Sequence, residues 1–330
     1  MTFYMINQLL PELKRAFAYR SNSSTRKLSS SGSVFPNLAK TVLGLNGVVV
    51  AAAFDDKYSV HHVFIDQEED LSQAIGSKYL QSDGRGAFAR IKKLLINGRV
   101  VLFIGMTCQV EGLLAYLGNR FEKLYTVDLI CMGIPSPGVW RSYLSTFFNI
   151  PYIESINFKD KTYGWHKFSM KIKSRGSDPF IQPGFDNPFF ETMFKGYNLR
   201  PSCFKCRFKN ENKIADLTLA DCWGCENYVP ELDDNKGLSM IIVHNQHGMD
   251  LFEKIQDKGV WKEFDYKNVL TYNSNYQTCH GPAEDRVEFY RLLGKHPEKA
   301  FKKYGSNPAK SISNRVKGRL SSVKNRILAQ

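Results

Sequence analysis

Long hydrophobic runs are missing from this sequence. The longest uninterrupted apolar stretch, Val48–Phe54, has seven residues, whereas a transmembrane helix needs about 20. The N-terminal segment also lacks the apolar core of a secretory signal, because Pro11 and several charged residues interrupt it. These absences predict a soluble, cytoplasmic protein.

Several catalytic motifs are missing as well, among them HExxH, an EF-hand loop and a Ser/His/Asp arrangement. What is present is the composition of a globular protein, since 43% of the 330 residues are hydrophobic and 23% are charged. This composition excludes disordered and collagen-like chains and leaves room for two hydrophobic cores.

Acidic residues are missing from the C-terminal tail, residues 301–330. The tail holds eight of the basic residues that produce the net charge of +13, so the basicity belongs largely to this segment. Its apolar residues recur at helical spacing opposite the basic ones. This pattern fits an amphipathic helix that binds an anionic membrane surface or a partner, and a solvated terminus remains an equal alternative. No specific nucleic-acid partner is expected.

Strand and helix patterns alternate over the first half of the chain. Short buried strands are predicted at Val48–Phe54, Val60–Ile65, Val100–Ile104 and Leu124–Ile130, with helical periodicity between the later ones. This alternation predicts an α/β fold with a parallel sheet. We expect an α/β N-terminal domain over residues 1–150, a mixed α+β domain with most of the cysteines over 151–300, and the helical basic tail.

Seven cysteines without an export signal argue against a disulfide framework and indicate metal, cluster or redox chemistry. Cys203-x2-Cys206 and Cys222-x2-Cys225 have the spacing of a four-thiolate zinc site. An iron–sulfur cluster, which often collects thiolates from distant segments, is the alternative. Cys108 favours the cluster, because it follows a buried strand at a helix N-terminus, where open α/β sheets bind ligands.

Other candidate groups carry weaker signals. Cys131 ends the next predicted strand and is interpreted as a packed core cysteine, although it could face the same crevice; Cys279 receives no role. The Ser29–Gly32 run offers amides and small residues for a phosphate but has no Walker lysine or GxGxxG pattern. Trp165 is predicted to be core and His166 surface. A second loop, with Lys78, Tyr79, Gln81 and Ser82, fits either a flavin contact or a polar turn.

Six stretches in a fixed order resemble one known family. They are SSSGSVF, GSKYLQSD, VLFIGMTCQVEGL, TVDLICMGIPSP, DKTYGWHKFS and LRPSCFKCRFKNENKIADLTLADCWG, and the coenzyme F-420 hydrogenase/dehydrogenase beta-subunit family has similar motifs. The resemblance runs from about Ala18 to Val243. It implies a flavin- and iron–sulfur-dependent oxidoreductase that passes electrons between a reduced deazaflavin or ferredoxin-type donor and an unidentified small-molecule acceptor, with polysaccharide biosynthesis as one setting.

The resemblance also implies residue roles. Ser30, Ser31 and Gly32 match the flavin-side loop, and Lys78, Tyr79, Gln81 and Ser82 match a second loop that contacts FAD or FMN. One 4Fe–4S cluster would be ligated by Cys108, Cys203, Cys206 and Cys222, with Cys225 as the alternative to Cys222.

Three departures from the family pattern bear on mechanism. No cysteine precedes Cys108, so the ferredoxin-like motifs common in the family are missing and electrons are expected to enter from a separate donor protein or reduced deazaflavin. Met106-Thr107 replaces the usual Thr-Pro, and Met132 replaces a usual histidine. Two other functions therefore stay open: a zinc-stapled binding module, with zinc as the alternative metal, and a non-catalytic partner subunit of a biosynthetic assembly.

Overall fold

The computed structural model describes residues 14–306. Residues 1–13 and 307–330 lie outside the described residues, so the predicted amphipathic tail is described only at its first six positions. Within residues 14–306, no helix is long and apolar enough to cross a membrane.

The described part of the chain contains twelve strands. They are β1 (Arg15–Ser21), β2 (Val48–Phe54), β3 (Val60–Ile65), β4 (Ser82–Asp83), β5 (Val101–Met106), β6 (Leu124–Leu129), β7 (Ile153–Asp160), β8 (Ser169–Ser174), β9 (Phe180–Pro183), β10 (Leu217–Asp221), β11 (Ser239–Val243) and β12 (Gly259–Phe264).

Nine α-helices accompany the strands between residues 14 and 306. They are α1 (Val34–Gly44), α2 (Ala87–Ile96), α3 (Thr107–Leu117), α4 (Pro137–Phe147), α5 (Pro188–Phe194), α6 (Gln246–Glu253), α7 (Lys267–Tyr272), α8 (Arg286–Lys295) and α9 (Pro297–Tyr304).

Nine of the strands form one mixed sheet, in the order β12-β1-β11-β10-β6-β5-β2-β3-β4. Its centre is parallel, since β2, β5, β6 and β10 run in one direction, and β1, β11 and β12 add an antiparallel end. The predicted α/β fold class is confirmed. The sheet takes strands from both sides of residue 150, and the proposed domain division stays a prediction.

Side-chain alternation on β2 assigns the two faces of the sheet. Val49 and Ala51 lie in the core that α1 and α6 cover, whereas Val48 and Val50 lie in the core that α2 and α3 cover on the opposite face. Successive side chains on a strand point to opposite faces, so a continuous run such as VVVAAAF is required where both faces are buried.

A second sheet, β7-β8-β9, is antiparallel. Its core is rich in aromatic residues and is completed by α4, α5, α8 and α9; Trp140, Phe158, Phe189 and Phe301 are all fully buried there. This aromatic core packs against the loop after β6, which carries Cys131, and against the segment before β10, which carries Cys203 and Cys206.

Candidate functional site

Four cysteines from distant parts of the chain line one cavity. Cys108, Cys131, Cys203 and Cys206 contribute to its wall together with Met132, Lys209, Lys213, Thr218 and Tyr276. We call this space the cysteine cavity. Of the four predicted cluster ligands, the structure brings Cys108, Cys203 and Cys206 together here and adds Cys131, which was predicted to be packed in the core.

The position of Cys108 and Cys131 follows from the register of two parallel strands. Met106, the last residue of β5, pairs with Leu129, the last residue of β6. Each cysteine lies two residues beyond its strand, so both thiols stand at the same carboxyl edge of the sheet. That edge is where open α/β sheets bind ligands. Cys108 is also the second residue of α3, and the first amides of a helix favour negative charge. Cys131 therefore meets the same positional criterion that pointed to Cys108 in the sequence.

The loop after β6 is tied to the segment that carries Cys203. The Arg200 amide donates to the Ile134 carbonyl at 2.8 Å, and the Cys203 amide donates to the Arg200 carbonyl at 2.9 Å. The Ile134 amide in turn donates to Cys203 Sγ at 3.4 Å. Amide donors of this kind stabilise a thiolate and tune the potential of a sulfur-ligated cluster.

Cys279 contacts the backbone of Cys206, one of the residues that line the cavity. Its Sγ accepts a hydrogen bond from the Cys206 amide at 3.2 Å and donates to the Cys206 carbonyl at 3.6 Å. No sequence pattern pointed to this contact, because Cys279 stands alone in the chain. Its sulfur positions the Cys206 backbone and is not part of the cavity wall.

Two lysines place positive charge beside the thiols. Lys209 Nζ donates to the backbone carbonyls of Cys131 and Asn275, and Lys213 Nζ donates to the Phe208 carbonyl at 2.6 Å. Burial lowers the pKa of both lysines. Neither lysine was predicted as a site residue, although both lie within eight residues of Cys206.

Burial favours the protonated form of two of the cavity thiols, Cys131 and Cys108. Burial raises the pKa of Cys131 to about 12 and also raises the pKa of Cys108, with Cys203 and Cys206 adding to the effect on Cys108. Binding a metal to these sulfurs would displace protons, which couples metal affinity to pH.

A buried acid lies next to the cavity on the adjoining strands. Asp128 on β6 is fully buried, and burial raises the pKa of its carboxyl group. The Thr218 hydroxyl donates to Asp128 Oδ1. Because this hydroxyl has a single proton, it must accept from His244 Nε2, which lies 2.7 Å away. Burial lowers the pKa of His244 to about 3, so the imidazole is neutral.

The two predicted flavin loops meet in the structure. Ser30 Oγ accepts hydrogen bonds from the Ser77 amide at 2.7 Å and from the Ser77 hydroxyl at 2.8 Å. Ser31 Oγ is engaged within the protein, since it donates to the Leu238 carbonyl at 2.6 Å. The Gly32 amide likewise donates to Ser239 Oγ at 2.8 Å. Ser31 and Gly32 therefore serve the junction with β11, whatever else they bind.

Lys78 and Tyr79 directly follow Ser77 in the second loop. Lys78 Nζ donates to the Ile75 carbonyl at 3.1 Å, and burial lowers its pKa to about 7. The Tyr79 ring packs edge-on against Phe158 and Phe190. Burial raises the pKa of Tyr79, and the charges of Lys159, Asp221 and Cys131 also act on it. Tyr79 thus packs the predicted flavin loop against the aromatic core of the second sheet.

Gln81 and Ser82 lie farther along the loop, where they line a second, more open cavity with Arg85, Trp140 and Arg141. Ser82 Oγ accepts from Gln109 Nε2 at 2.8 Å, and Gln109 Oε1 accepts from the Met106 amide at 2.9 Å. The loop is thereby fastened to the start of α3, one residue from Cys108.

Cys222 and Cys225 occupy a different place. Both are fully buried in a core with Trp165 and Val229, and Cys222 Sγ lies 3.2 Å from the Tyr228 hydroxyl. Neither cysteine is among the residues that line the cysteine cavity. The structure does not bring Cys222 or Cys225 to the other predicted ligands.

Near these cysteines, charged and aromatic groups form two linked pairs. Lys159 Nζ contacts Asp221 Oδ2 at 2.9 Å, and Trp165 Nε1 donates to Asp221 Oδ1 at 3.1 Å. His166 Nε2 lies 2.8 Å from Asp233 Oδ2. Trp165 is buried, as predicted, and stacks on Trp223 with ring centroids 4.9 Å apart; His166 is partly exposed.

The fold and the cysteine cavity define an α/β protein with several thiols gathered at the carboxyl edge of its sheet. Residues 98–268, just over half of the chain, match the family described as the C terminus of the coenzyme F420 hydrogenase/dehydrogenase beta subunit. The chain belongs to this family, and the resemblance predicted from the motifs is confirmed. The family is one of subunits of redox enzymes.

A solved structure shares the fold. The F420-reducing [NiFe] hydrogenase complex from Methanosarcina barkeri contains a chain with 16% sequence identity and a TM-score of 0.52 to this one, and the match covers 89% of this chain and 91% of that chain. No curated protein sequence matches significantly.

Proposed function

We propose that the protein is an electron-transferring oxidoreductase subunit whose cysteine cavity holds one 4Fe–4S cluster. The ligands are Cys108, Cys131, Cys203 and Cys206. The observation that carries the proposal is the convergence of these four thiols, from three separate regions of the chain, on one cavity. This ligand set replaces Cys222 of the sequence-based prediction with Cys131.

The chemistry of the donors fits such a group. Four sulfur donors are the ligand number of a 4Fe–4S cluster, which supplies one-electron transfer at a potential set by charge and by hydrogen bonds to sulfur. Lys209 and Lys213 offset the negative charge of four thiolates, and the Ile134 amide already points at Cys203 Sγ. Both features stabilise the reduced form of the cluster, which carries one more negative charge, and hence raise its reduction potential.

We place a flavin, FAD or FMN, beside Ser30, Lys78 and Tyr79, with Gln81 and Ser82 on the outer part of the loop. A flavin links two-electron to one-electron chemistry. Lys78 Nζ has donor capacity beyond its bond to the Ile75 carbonyl. Ser31 and Gly32 contribute through their backbone positions, because their polar groups are engaged with β11 and the residue before it.

Lys78 is also suited to hold a proton at this place. Its pKa of about 7 means that Nζ gains or loses a proton near neutral pH. Met132, where family members have a histidine, cannot do this. Lys78 is therefore the residue that we assign to the proton-holding role beside the flavin, with a reduced deazaflavin or ferredoxin-type protein as the electron donor and an unidentified small molecule as the acceptor.

The zinc-stapled alternative needs Cys203, Cys206, Cys222 and Cys225 around one ion. The two cysteine pairs lie in different places, one at the cysteine cavity and one in the core beside Trp165. The structure gives that four-thiolate site no support. A non-catalytic partner subunit is the outcome that the experiment below separates from a redox role.

The test is anaerobic purification followed by iron, sulfide and flavin analysis on the wild type and on two matched buried-cysteine variants, Cys131→Ser and Cys222→Ser. We expect about four irons and four sulfides per chain in the wild type, a loss in Cys131→Ser and retention in Cys222→Ser. Loss in Cys222→Ser with retention in Cys131→Ser would restore the ligand set predicted from the sequence. A folded wild type without iron or flavin would favour the non-catalytic role.

A further inference from the structure

A second group of potential ligands lies outside the cysteine cavity. Cys225, His166 and Asp233 each offer one ligand atom, and the three atoms all lie within 4.8 Å of one another. Cys225 is fully buried, whereas the His166 and Asp233 side chains are 36% and 17% exposed. The cluster therefore has a buried sulfur at its base and a side that opens to solvent.

The backbone holds these ligands in place without using their ligand atoms. Asn235 contacts both His166 and Asp233. Its side-chain Oδ1 accepts a hydrogen bond from the His166 backbone amide at 3.0 Å, and its own backbone amide donates to Asp233 Oδ1 at 3.0 Å. Its carbonyl accepts from the Trp165 amide at 2.9 Å. The Cys225 end is fixed by the Val229 amide, which donates to the Cys225 carbonyl at 2.8 Å.

We propose that Cys225, His166 and Asp233 form a zinc site with a fourth position open to water. Sulfur, imidazole nitrogen and carboxylate oxygen are the three donor types that Zn²⁺ combines, whereas Mg²⁺ and Ca²⁺ take oxygen. One thiolate and one carboxylate balance the two positive charges of the ion. The site is independent of the iron–sulfur proposal, since it shares no ligand with the cysteine cavity.

The required movements are small. With zinc bonds of about 2.0 Å to nitrogen and oxygen and 2.3 Å to sulfur at tetrahedral angles, the ligand atoms stand about 3.3–3.5 Å apart. His166 Nε2 and Asp233 Oδ2 are now 2.8 Å apart, so their hydrogen bond opens by roughly half an ångström. The longest separation closes by roughly one ångström or slightly more, which rotation of the two solvent-facing side chains supplies.

Cys222 is the natural control, although it belongs to the same Cys-x2-Cys motif. Its Sγ is held by the Tyr228 hydroxyl at 3.2 Å, and it is not one of the three residues whose ligand atoms converge. The proposal thus divides two buried cysteines three positions apart into one ligand and one structural residue.

The experiment measures zinc in the full-length protein after dialysis against added Zn²⁺, together with the absorption of a Co²⁺-substituted sample. We expect about one zinc per chain and a sulfur-to-cobalt charge-transfer band in the wild type, as for a site with one thiolate ligand. Asp233→Asn, which keeps the side-chain volume, should weaken zinc affinity by about 100-fold or more. Cys225→Ser should also abolish the charge-transfer band.

Cys222→Ser and Cys203→Ser should both retain zinc and the cobalt band, and Cys203→Ser should lose iron alone. Circular dichroism of each variant separates ligand loss from unfolding. No zinc in the folded wild type would overturn the proposal. Loss of zinc in Cys203→Ser with retention in Asp233→Asn would also overturn it, because the ion would then belong to the cysteine cavity.

Discussion

Asp221→Asn removes one partner of a buried ion pair and leaves the other in place. The Lys159 side chain is 2% exposed, and its Nζ lies 2.9 Å from Asp221 Oδ2. Asparagine keeps the side-chain volume and can still accept from Trp165 Nε1. The substitution therefore isolates the loss of the negative charge that the Lys159 ammonium group faces.

The expected cost is the penalty of an uncompensated buried charge. Breaking a buried pair by removing one partner costs about 3–5 kcal/mol in folding free energy. The nearby rings of Phe168 and Trp223, whose centroids lie 4.2 and 4.7 Å from Lys159 Nζ, attract the ammonium group in wild type and variant alike, so this cation–π attraction does not change the difference. The net destabilisation should thus fall between about 3 and 5 kcal/mol.

Urea unfolding monitored by circular dichroism and by tryptophan fluorescence provides the assay. With a slope of about 3 kcal/mol per molar urea for a chain of this size, the urea midpoint should fall by roughly 1–1.7 M. The matched control is Glu68→Gln, which breaks the Lys40–Glu68 pair, exposed by 39% and 56%. That change should cost about 0–1 kcal/mol.

Two results would refute this reasoning. Equal effects of Asp221→Asn and Glu68→Gln would mean that burial of Lys159 carries no penalty. A double variant, Lys159→Met with Asp221→Asn, should recover most of the stability lost in Asp221→Asn, because it no longer contains an uncompensated buried charge. Failure to recover would show that this charge is not the source of the loss.

Two further predictions concern the flavin-side loops. The Lys78 pKa is lowered from 10.5 to about 7, so the unfolded chain binds the proton more strongly between these pH values, and wild-type stability should rise with pH across this window. In urea titrations, Lys78→Met should therefore be more stable than the wild type by the largest amount at pH 7 and should lose this advantage towards pH 10.5. A stability difference that does not vary with pH would contradict this. A Cβ on Gly32 would lie 2.1 Å from the Tyr19 carbonyl oxygen, so Gly32→Ala should lower stability by about 1–3 kcal/mol or more. The control is Gly44→Ala, which has no atom within 4 Å of the added carbon and should be neutral or stabilising. Similar melting temperatures for the two variants would count against the close approach at Gly32.

The strands of the sheet centre were predictable because both of their faces are buried. Val48–Phe54 was predicted with the bounds that the structure has, and the strand predicted at Leu124–Ile130 ends one residue earlier, at Leu129. Continuous apolar runs of this kind leave few alternatives. β1, in contrast, was not among the predicted strands, since Arg15, Arg20 and Ser21 flank its short apolar centre.

The candidate-site residues whose position depends on a local sequence pattern were predictable. Those whose position depends on how distant segments of the chain pack together were not. Cys108 follows from a strand–turn–helix pattern within one stretch of sequence. The choice between Cys131 and Cys222 depends on where the chain leads after each strand. β10 also ends beside β6, with Leu219 opposite Leu129, but Cys222 then enters the core with Trp165, whereas Cys131 lines the cavity. The spacing of the cysteines along the chain does not reveal which of these two thiols faces the cavity.

The His166, Cys225 and Asp233 cluster could not be assembled from the sequence for a similar reason. Its members come from the loop after β7 and from two short 3₁₀ turns after β10. His166 and Asp233 both contact Asn235, a residue with a positive φ of 57°. A positive φ at an asparagine is a weak signal in a sequence, so nothing marked this residue as the contact point.

The place of β1 in the sheet sets the timing of synthesis and folding. β1 lies between β11 and β12, so residues 15–21 have no strand partner until residues 239–264 have left the ribosome. At about 5–20 residues per second, the N-terminal strand waits for roughly ten seconds to a minute. During that time its apolar centre, Ala16 to Tyr19, is open to chaperones and to other nascent chains. The last part of the sheet to be closed in the cell is therefore the first to be translated.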